Sequence, residues 1–268
     1  HKYGVPYVFQ AHGGIARTLG RKWINKVADR LLGCRILKNA SKIIAVSNAE
    51  IDDYDQMGVE LSKITVIPNG LDLGIFKDLP TSGQFRKRNN INDKKIILFL
   101  GRIHKIKGLA FLIESFSELI KELNDVVLVI AGPDDGYEVE LKRLINMQPC
   151  HDKIRFTGYL AGNDKLSAYV DADVLVIPSI YEVFGLVPFE AIMCGTPVVV
   201  TDKCGCSEWI RKSGAGYLVE YNNVAGLKER MIKCLTEVSE VRGMVQQGQQ
   251  YIRNNLQWAQ VAYQVENI

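Results

Sequence analysis

The sequence contains no apolar run close to the roughly 20 residues that a membrane-spanning helix needs. It also lacks a strong excess of one charge, because 33 Lys and Arg residues against 30 Asp and Glu residues leave a net charge of only +3. That charge is too small to indicate a nucleic-acid partner. The rest of the composition, 47% hydrophobic and 24% charged over 268 residues, is typical of a globular chain with one large or two modest domains.

Sequence signatures of metal and disulfide chemistry are also missing. Six cysteines occur, but no two form a C-x-x-C pair, and Cys204 and Cys206 flank a single glycine, which is a poor spacing for a metal site. We therefore expect reduced thiols, a cytoplasmic location and no metal ion. The first residues, HKYGVPYVFQ, include neither an initiator methionine nor a signal peptide, and we expect the first domain to lack residues before this point.

Short apolar runs alternate with amphipathic stretches, as they do in parallel α/β sheets. For residues 1–72, the first domain, we predict strands at 5–10, 43–47 and 64–70 and helices at 21–39 and 48–57. Residues 73–94 are polar, include the basic run at 86–88, and predict an interdomain linker and loop with a solvated surface. Residues 95–254 repeat the alternation and predict a second doubly wound sheet, followed by a terminal helix at 255–268.

The stretch at 174–200, VLVIPSIYEVFGLVPFEAIMCGTPVVV, organises the second domain. Two apolar runs predict buried strands, with a loop and a helix between them. Pro188 fits only the first turn of a helix and Gly195 suits the residue after its end, so we predict a helix from residue 184 or 185 to about 194. The amides of residues 184–187 would then face the carboxyl end of the first strand, where open parallel sheets bind ligands, and would suit a phosphate group.

Two carboxylates stand on either side of this predicted phosphate site. Glu182 precedes the helix and Glu190 lies inside it, on the order of 10 Å away. Such carboxylates can accept hydrogen bonds from hydroxyls on both sides of a diphosphate, which is the layout of a nucleotide sugar. From spacing alone the alternative is equally open, with Glu182 a solvated loop residue and Glu190 an exposed helix residue.

Three further residues are candidates for the same chemistry. In GRIHKIKG, Arg102 offers a planar fork for phosphate oxygens and Lys107 a mobile point charge, although both could be plain surface cations. The glycines do not form the G-x-x-x-x-G-K-[ST] phosphate loop. His12 follows a strand and can change protonation near neutral pH, although an isolated histidine there could be structural.

Together these motifs resemble the retaining GT-B glycosyltransferases of family 4, the glycosyl transferases group 1. The likeness rests on EVFGLVPFE with AIMCGTPVVVTD after it, and on GRIHKIKG, VFQAHGG, IPNGLD and FTGYL. It covers most of the chain. The resemblance implies an α/β fold of the GT-B type with two Rossmann-like, doubly wound parallel sheets, the first one incomplete.

The resemblance also implies roles for residues at the matching positions. It implies catalytic roles, close to the donor sugar and its diphosphate, for His12, Arg102, Lys107 and Glu182. It implies donor binding by Tyr159, Leu160, Phe184, Gly185, Leu186, Glu190, Asn69 and Gly70. Among these, Glu190 would bind the ribose, the amides from Phe184 to Leu186 the diphosphate, and Tyr159 and Leu160 would flank the base. Asn-Gly is also a strong turn former, so Asn69 and Gly70 could equally form only a turn.

The function implied by the resemblance is transfer of a hexosyl group from a nucleoside-diphosphate sugar to a hydroxyl of a glycan or lipid-linked acceptor. Neither a metal nor another cofactor is expected. A peripheral contact at the inner face of the membrane would fit a lipid-linked acceptor. Two alternatives stay open: a module that binds a nucleotide sugar without turnover, and a GT-B nucleotide-sugar epimerase, which would need further acid–base residues near the sugar.

Overall fold

The structure, a computed structural model, describes residues 5–11, 34–91 and 93–268, and only the backbone of Cys34. The chain divides into two compact units. The smaller unit comprises His1–Gly70 and Leu256–Ile268, and the larger unit comprises Leu71–Asn255. Residues 73–94, for which we predicted a linker and loop, therefore belong to the larger unit.

A three-stranded parallel sheet in the order β1-β2-β3 forms the centre of the smaller unit. Its strands and first helices are β1 Val8–Gln10, α1 Cys34–Asn39, β2 Lys42–Ala45, α2 Ala49–Gln56 and β3 Ile64–Val66. Each strand is shorter than the apolar run that predicted it. Residues such as Val46 and Ile67 are buried although they lie beyond the paired residues, so the apolar runs are longer than the strands. Of the helix predicted at 21–39, only α1 lies in the described part of the chain.

A buried carboxylate lies at the start of α2. Asn48, the first residue of the helix predicted at 48–57, occupies the N-cap position, but its side chain does not form the capping hydrogen bond. The carboxylate of Glu50 instead accepts a hydrogen bond of 2.8 Å from the amide of Val46. Burial raises the pKa of Glu50, and the nearby charge of Asp53 adds to this rise, against the lowering effect of the bond from Val46. Folding therefore favours the protonated form of this group.

The larger unit is built on a six-stranded sheet in the order β6-β5-β4-β7-β8-β9, with every neighbouring pair parallel. The strands are β4 Lys95–Leu100, β5 Val126–Ala131, β6 Ile154–Gly158, β7 Val174–Ile177, β8 Val198–Thr201 and β9 Gly216–Val219. The helices are α3 Gln84–Arg88, α4 Leu109–Leu119, α5 Glu138–Asn146, α6 Gly162–Asp171, α7 Val187–Met193, α8 Ser207–Ser213, α9 Val224–Thr236 and α10 Val238–Asn255. The strand–helix alternation predicted from residue 95 onward is confirmed.

The order of these strands determines where a ligand can bind. The chain runs outward from β4 through β5 to β6, and then returns to place β7 on the other side of β4. The loops after β4 and β7 therefore leave the sheet in opposite directions and open a crevice at its carboxyl edge. Open parallel sheets bind ligands at this point.

Two aspartates fix the segment before β4 to the rest of the larger unit. The buried carboxylate of Asp171 accepts hydrogen bonds from the amides of Gly83, Phe85 and Arg86 at 2.5, 2.8 and 3.1 Å, respectively. The guanidinium group of Arg86 pairs with Asp173 at 2.9 Å, with only 24% of the arginine side chain exposed. The predicted solvated surface is therefore wrong for Arg86, because this cation neutralises a carboxylate beside β7.

The last helix, α11 Trp258–Glu266, belongs to the smaller unit. Val261 packs against Ile44 and Ile67 in a small apolar cluster. The helix therefore contributes to the core of the smaller unit beside β2. Among the described residues, no helix has the combined length and apolarity that a membrane crossing requires.

We predict that Glu50→Gln increases the free energy of unfolding, and that this gain grows as the pH rises above 4.5, the ordinary glutamate value. A carboxyl group whose pKa is raised in the folded state stabilises the protein fully below its ordinary pKa. This contribution is lost as the pH rises through the folded-state pKa. Glutamine does not titrate, so the difference between the two proteins grows with pH. Urea unfolding of both proteins from about pH 4 to about pH 8 measures the gain. A gain that is constant across this range would contradict the prediction.

Asp171→Ala is expected to lower the free energy of unfolding by about 2 kcal/mol or more, because buried amide donors lose their acceptor. Asp164→Ala is the matched control on the same helix. Asp164 pairs with Arg88 at the surface, where an ion pair contributes about 0–1 kcal/mol. Denaturant titration compares the two variants, and equal losses would show that Asp171 does not fix the segment.

Candidate functional site

A cavity of about 170 Å³ lies at the carboxyl ends of β4 and β7, within the larger unit. Its lining residues are Phe99, Leu100, Gly101, Lys107, Ile177, Ser179, Glu182, Gly185, Leu186, Val187 and Pro188. The cavity therefore occupies the crevice that the strand order opens. It also combines residues from the two sequence motifs that follow β4 and β7.

Backbone contacts hold the two loops of this crevice together. The amide of Ile180 donates a hydrogen bond of 2.8 Å to the carbonyl of Ile106. Gly108 has φ +67°, and a Cβ atom at this position would lie 1.9 Å from the carbonyl oxygen of Pro178. Only glycine permits this approach, which places Lys107 beside the loop that follows β7.

Lys107 and Glu182 form an ion pair in the cavity. Their side chains are only 14% and 24% exposed, respectively. The backbone of Glu182 is also fixed, because its carbonyl accepts a hydrogen bond of 2.7 Å from the amide of Gly205 and it forms a parallel bridge with Cys204. The structure thus brings together two residues predicted to be catalytic. An anionic ligand in the cavity would compete with Glu182 for the lysine charge.

The helix that borders the cavity begins later than predicted. It is α7, which starts at Val187 and has Leu186 at its N-cap and Pro188 in its first turn. The predicted start at residue 184 or 185 is wrong, because Gly185 has φ +79° and so lies outside the helical region. The end agrees with the prediction, since the last helical residue is Met193 and the turn that follows includes Gly195 with φ +93°.

The phenyl ring of Phe184 belongs to the core and not to the cavity. Only 2% of this residue is exposed. Its ring stacks on Phe189 with centroids 5.4 Å apart and meets Trp209 edge-on at 6.5 Å. Phe184 does not line the cavity, whereas Gly185 and Leu186 do, so contact of its amide with a diphosphate stays a prediction.

Glu190 lies on α7, and two groups on α6 hold its carboxylate. The ammonium group of Lys165 lies 3.0 and 2.9 Å from the two carboxylate oxygens, and the hydroxyl of Tyr169 donates at 2.7 Å. The glutamate side chain is only 16% exposed, so the alternative of an exposed helix residue is wrong. Burial, reinforced by the charge of Glu190, raises the pKa of Tyr169 well above its usual range and keeps the phenol a donor.

Sequence reasoning missed both partners of Glu190. The only signal was the spacing of Lys165 and Tyr169, which are four residues apart and would therefore share one face of any helix that contains both. That spacing does not show which side chain the two residues contact. Their contact with Glu190 results from the packing of α6 against α7.

Other predicted donor-site residues of the larger unit lie farther from the cavity. Arg102 is exposed and pairs with Asp135 at 2.5 Å. Tyr159 and Leu160 follow β6, two strands away from β4 along the sheet, and Tyr159 is 73% exposed. These three residues share the carboxyl edge of the sheet with the cavity but do not line it. Their roles in donor binding stay predictions.

The remaining predicted site residues belong to the smaller unit. Asn69 lines a separate cavity there, next to Trp258. Gly70 lies against the indole ring of Trp258, which leaves no space for a side chain. The structure therefore gives Gly70 a packing role, and donor binding by this pair stays a prediction. His12 lies outside the described residues.

The described part of the chain contains no group of three or more His, Cys, Asp or Glu side chains that could hold a metal ion. The five cysteines whose side chains are described are buried free thiols. Burial and the charge of Glu190 raise the pKa of Cys194 to about 12, so this thiol is neutral beside α6. Whether the chain works without a metal stays a prediction.

Gly108→Ala is expected to cost several kcal/mol more in unfolding free energy than Gly136→Ala. Both glycines have positive φ, at +67° and +82°, so both variants carry a similar backbone strain of about 1–2 kcal/mol. Only at Gly108 would the new Cβ atom meet backbone, because Gly136 faces open space. Thermal and urea unfolding compare the variants, and similar stabilities would contradict the close approach of the two loops.

Comparison with known proteins agrees with the sequence motifs. Residues 82–251 match the family model for Glycosyl transferases group 1, and residues 1–74 match that for Glycosyltransferase Family 4. An uncharacterized glycosyltransferase of Methanocaldococcus jannaschii is 31% identical over 211 residues, which is 77% of this chain and 53% of the relative. A D-inositol 3-phosphate glycosyltransferase of Paenarthrobacter aurescens is 32% identical over 194 residues, covering 69% of this chain and 47% of the relative. The chain spans about half the length of these curated relatives.

Solved structures share the fold. Anabaena HepE in complex with UDP and glucose superposes with a TM-score of 0.85 at 20% identity, over 98% of this chain and 71% of HepE. Sucrose-phosphate synthase from Thermosynechococcus elongatus gives a TM-score of 0.78 at 25% identity, over 97% of this chain and 66% of the synthase. The parallel sheets, the matched motifs and these comparisons confirm the predicted fold and family: the chain has the GT-B type of α/β fold and belongs to the Glycosyl transferases group 1 family.

Proposed function

We propose that this chain transfers a hexosyl group, with retention of anomeric configuration, from a nucleoside-diphosphate sugar to a hydroxyl of a glycan or lipid-linked acceptor. The observation that carries the proposal is the cavity between β4 and β7, which joins a cation, Lys107, to the carboxylate of Glu182. Family membership supports a glycosyl transfer reaction. The structure of HepE with UDP and glucose supports a nucleotide sugar as donor.

In the proposed complex, the diphosphate lies against Lys107 and the backbone of Gly185 and Leu186. These residues line the cavity, and Gly185, which has no side chain, lets a phosphate approach its backbone closely. Glu182 accepts hydrogen bonds from the donor sugar. Glu190, one helical turn beyond the cavity, accepts hydrogen bonds from the ribose. Each part of a nucleotide sugar thus has a partner of suitable chemistry.

Release of Lys107 from Glu182 is the first expected consequence of donor binding. The ammonium group exchanges one anion for another and keeps a charge partner throughout. Glu182 then has free oxygens for hydroxyls of the donor sugar. Arg102 is exposed at the same sheet edge and pairs only at the surface with Asp135, so it can also turn toward the phosphates.

The chemical step separates the sugar from the diphosphate. The bond from the anomeric carbon to the diphosphate oxygen breaks, the acceptor oxygen bonds to that carbon, and the acceptor proton passes to the diphosphate or to solvent. Negative charge grows on the leaving oxygens, so a preplaced lysine and backbone amides stabilise the transition state more than the ground state. We propose that these groups suffice without a divalent metal, and that His12 takes part in binding the donor sugar, as the motif VFQAHGG implies.

The proposal is tested by calorimetric titration of the 268-residue chain with UDP, GDP and ADP, with and without EDTA. We expect one nucleotide to bind independently of EDTA. Lys107→Met should weaken this binding about tenfold or more, because a charge-assisted hydrogen bond to phosphate is lost. Arg102→Ala and Glu190→Ala should weaken it as well.

Lys105→Met is the matched control. Lys105 belongs to the same short 3-10 helix as Lys107, but its side chain is 64% exposed and pairs with Glu140. Its replacement should change the affinity less than about twofold, because Lys105 does not line the cavity and its partner is a surface carboxylate. Equal effects of the two lysine variants, or no binding of any nucleotide, would overturn the proposed site. Binding with neither transfer nor donor hydrolysis would favour a nucleotide-sugar-binding module.

A further inference from the structure

We propose that Lys165 and Tyr169 are positioning residues that fix Glu190 for recognition of the ribose, and that Lys165 makes the site selective for ribonucleotides over 2′-deoxyribonucleotides. This inference rests on the proposed function, because it needs a nucleotide in the cavity. It assigns a task to two side chains that no sequence motif singled out. Both residues act through Glu190 and not on the nucleotide.

Two side chains of α6 restrain the carboxylate of Glu190. Lys165 reaches both carboxylate oxygens, at 3.0 and 2.9 Å, and Tyr169 binds one of them at 2.7 Å. Tyr169 is itself fixed, since it is fully buried and its carbonyl accepts a hydrogen bond of 2.5 Å from the hydroxyl of Thr196. The three contacts define the position of the carboxylate before any ligand arrives.

The number of acceptor positions links this arrangement to the ribose. An ionised carboxylate offers about four lone-pair positions. The contacts with Lys165 and Tyr169 occupy three of these positions and leave about one, on Oε1, the oxygen that Tyr169 does not contact. In this inference the 2′ hydroxyl of the ribose donates its hydrogen bond to that position. A 2′-deoxyribose leaves one position unfilled, and an unfilled buried acceptor weakens binding.

The charge of Lys165 matters because the carboxylate is mostly buried. The side chains of Glu190 and Lys165 are 16% and 29% exposed, respectively. Without the ammonium group, the mostly buried carboxylate of Glu190 would keep the neutral hydroxyl of Tyr169 as its donor. The side chain of Glu190 would then rotate so that water hydrates its charge, and the carboxylate would leave the position in which it binds the ribose. Loss of Lys165 should therefore remove selectivity as well as affinity.

The test compares UDP, GDP and ADP with their 2′-deoxy counterparts by calorimetric titration of the 268-residue chain. For the nucleotide that binds, we expect the wild type to prefer the ribose form about tenfold, the size of one hydrogen bond to a charged acceptor. Lys165→Met should reduce this preference to about twofold or less. Lys165→Arg, which keeps the charge, should retain most of it. Tyr169→Phe should give an intermediate ratio.

A matched control variant and a second genetic background test whether the effect of Lys165→Met depends on its contact with Glu190. Lys121→Met removes a lysine that also contacts both oxygens of a glutamate, Glu118, at 2.7 Å each, but on the surface of α4. This variant should keep the wild-type ratio. In a Glu190→Gln background, Lys165→Met should cause little further change, because its effect passes through Glu190. Circular dichroism verifies that each variant is folded.

The outcomes separate this inference from the proposed function. If no nucleotide binds the wild type, the proposed function fails and this inference fails with it. If a nucleotide binds and Lys165→Met keeps the wild-type ratio, the inference is overturned while the proposed function stands. An equal affinity of the wild type for ribose and deoxyribose forms would likewise overturn the inference alone.

Discussion

The pairing of β4 with β7 is the constraint on which the rest of the larger unit depends. These two strands lie side by side at the centre of the sheet, although 73 residues separate Leu100, the end of β4, from Val174, the start of β7. Their pairing forces the loops that follow them to part at the carboxyl edge of the sheet. The contact of Gly108 with the carbonyl of Pro178 then fixes the distance between the two loops. Lys107 and Glu182 meet only because both strands end at the same level.

Two lysine–glutamate pairs give the site its electrostatic character. Lys107 pairs with Glu182 in the cavity, and Lys165 pairs with Glu190 beside it. Desolvation makes a half-buried charge costly unless it has a partner, so each member of a pair offsets this cost for the other in the unliganded site. The first pair contains the cation that a phosphate can take over, whereas the second holds a carboxylate in place. One cleft can thus bind the phosphates of a nucleotide and also accept hydrogen bonds from the hydroxyls of its ribose.

The sequence was a good guide where local chemistry decides the structure. The short apolar runs within residues 95–254, among them the two in the stretch at 174–200, predicted buried parallel strands, because helices cover both faces of such a sheet and leave no polar side. Pro188 and Gly195 correctly indicated a helix between β7 and β8 and its C-terminal end. The start of that helix was missed because the positive φ of Gly185 is a property of the loop packing. The partners of Arg86 and Glu190 were missed because both contacts join helices or strands that are distant in sequence, and no local spacing encodes them.

The most direct test of the central claim is a crystal structure of the chain with the nucleoside diphosphate that binds it. The account predicts that the diphosphate lies between the ends of β4 and β7, with a phosphate oxygen within hydrogen-bonding distance of the Lys107 ammonium group and of the amides of Gly185 or Leu186. It also predicts that the ribose hydroxyls contact Glu190 while Lys165 keeps its place. A diphosphate bound elsewhere, with the pair of Lys107 and Glu182 intact, would contradict the account.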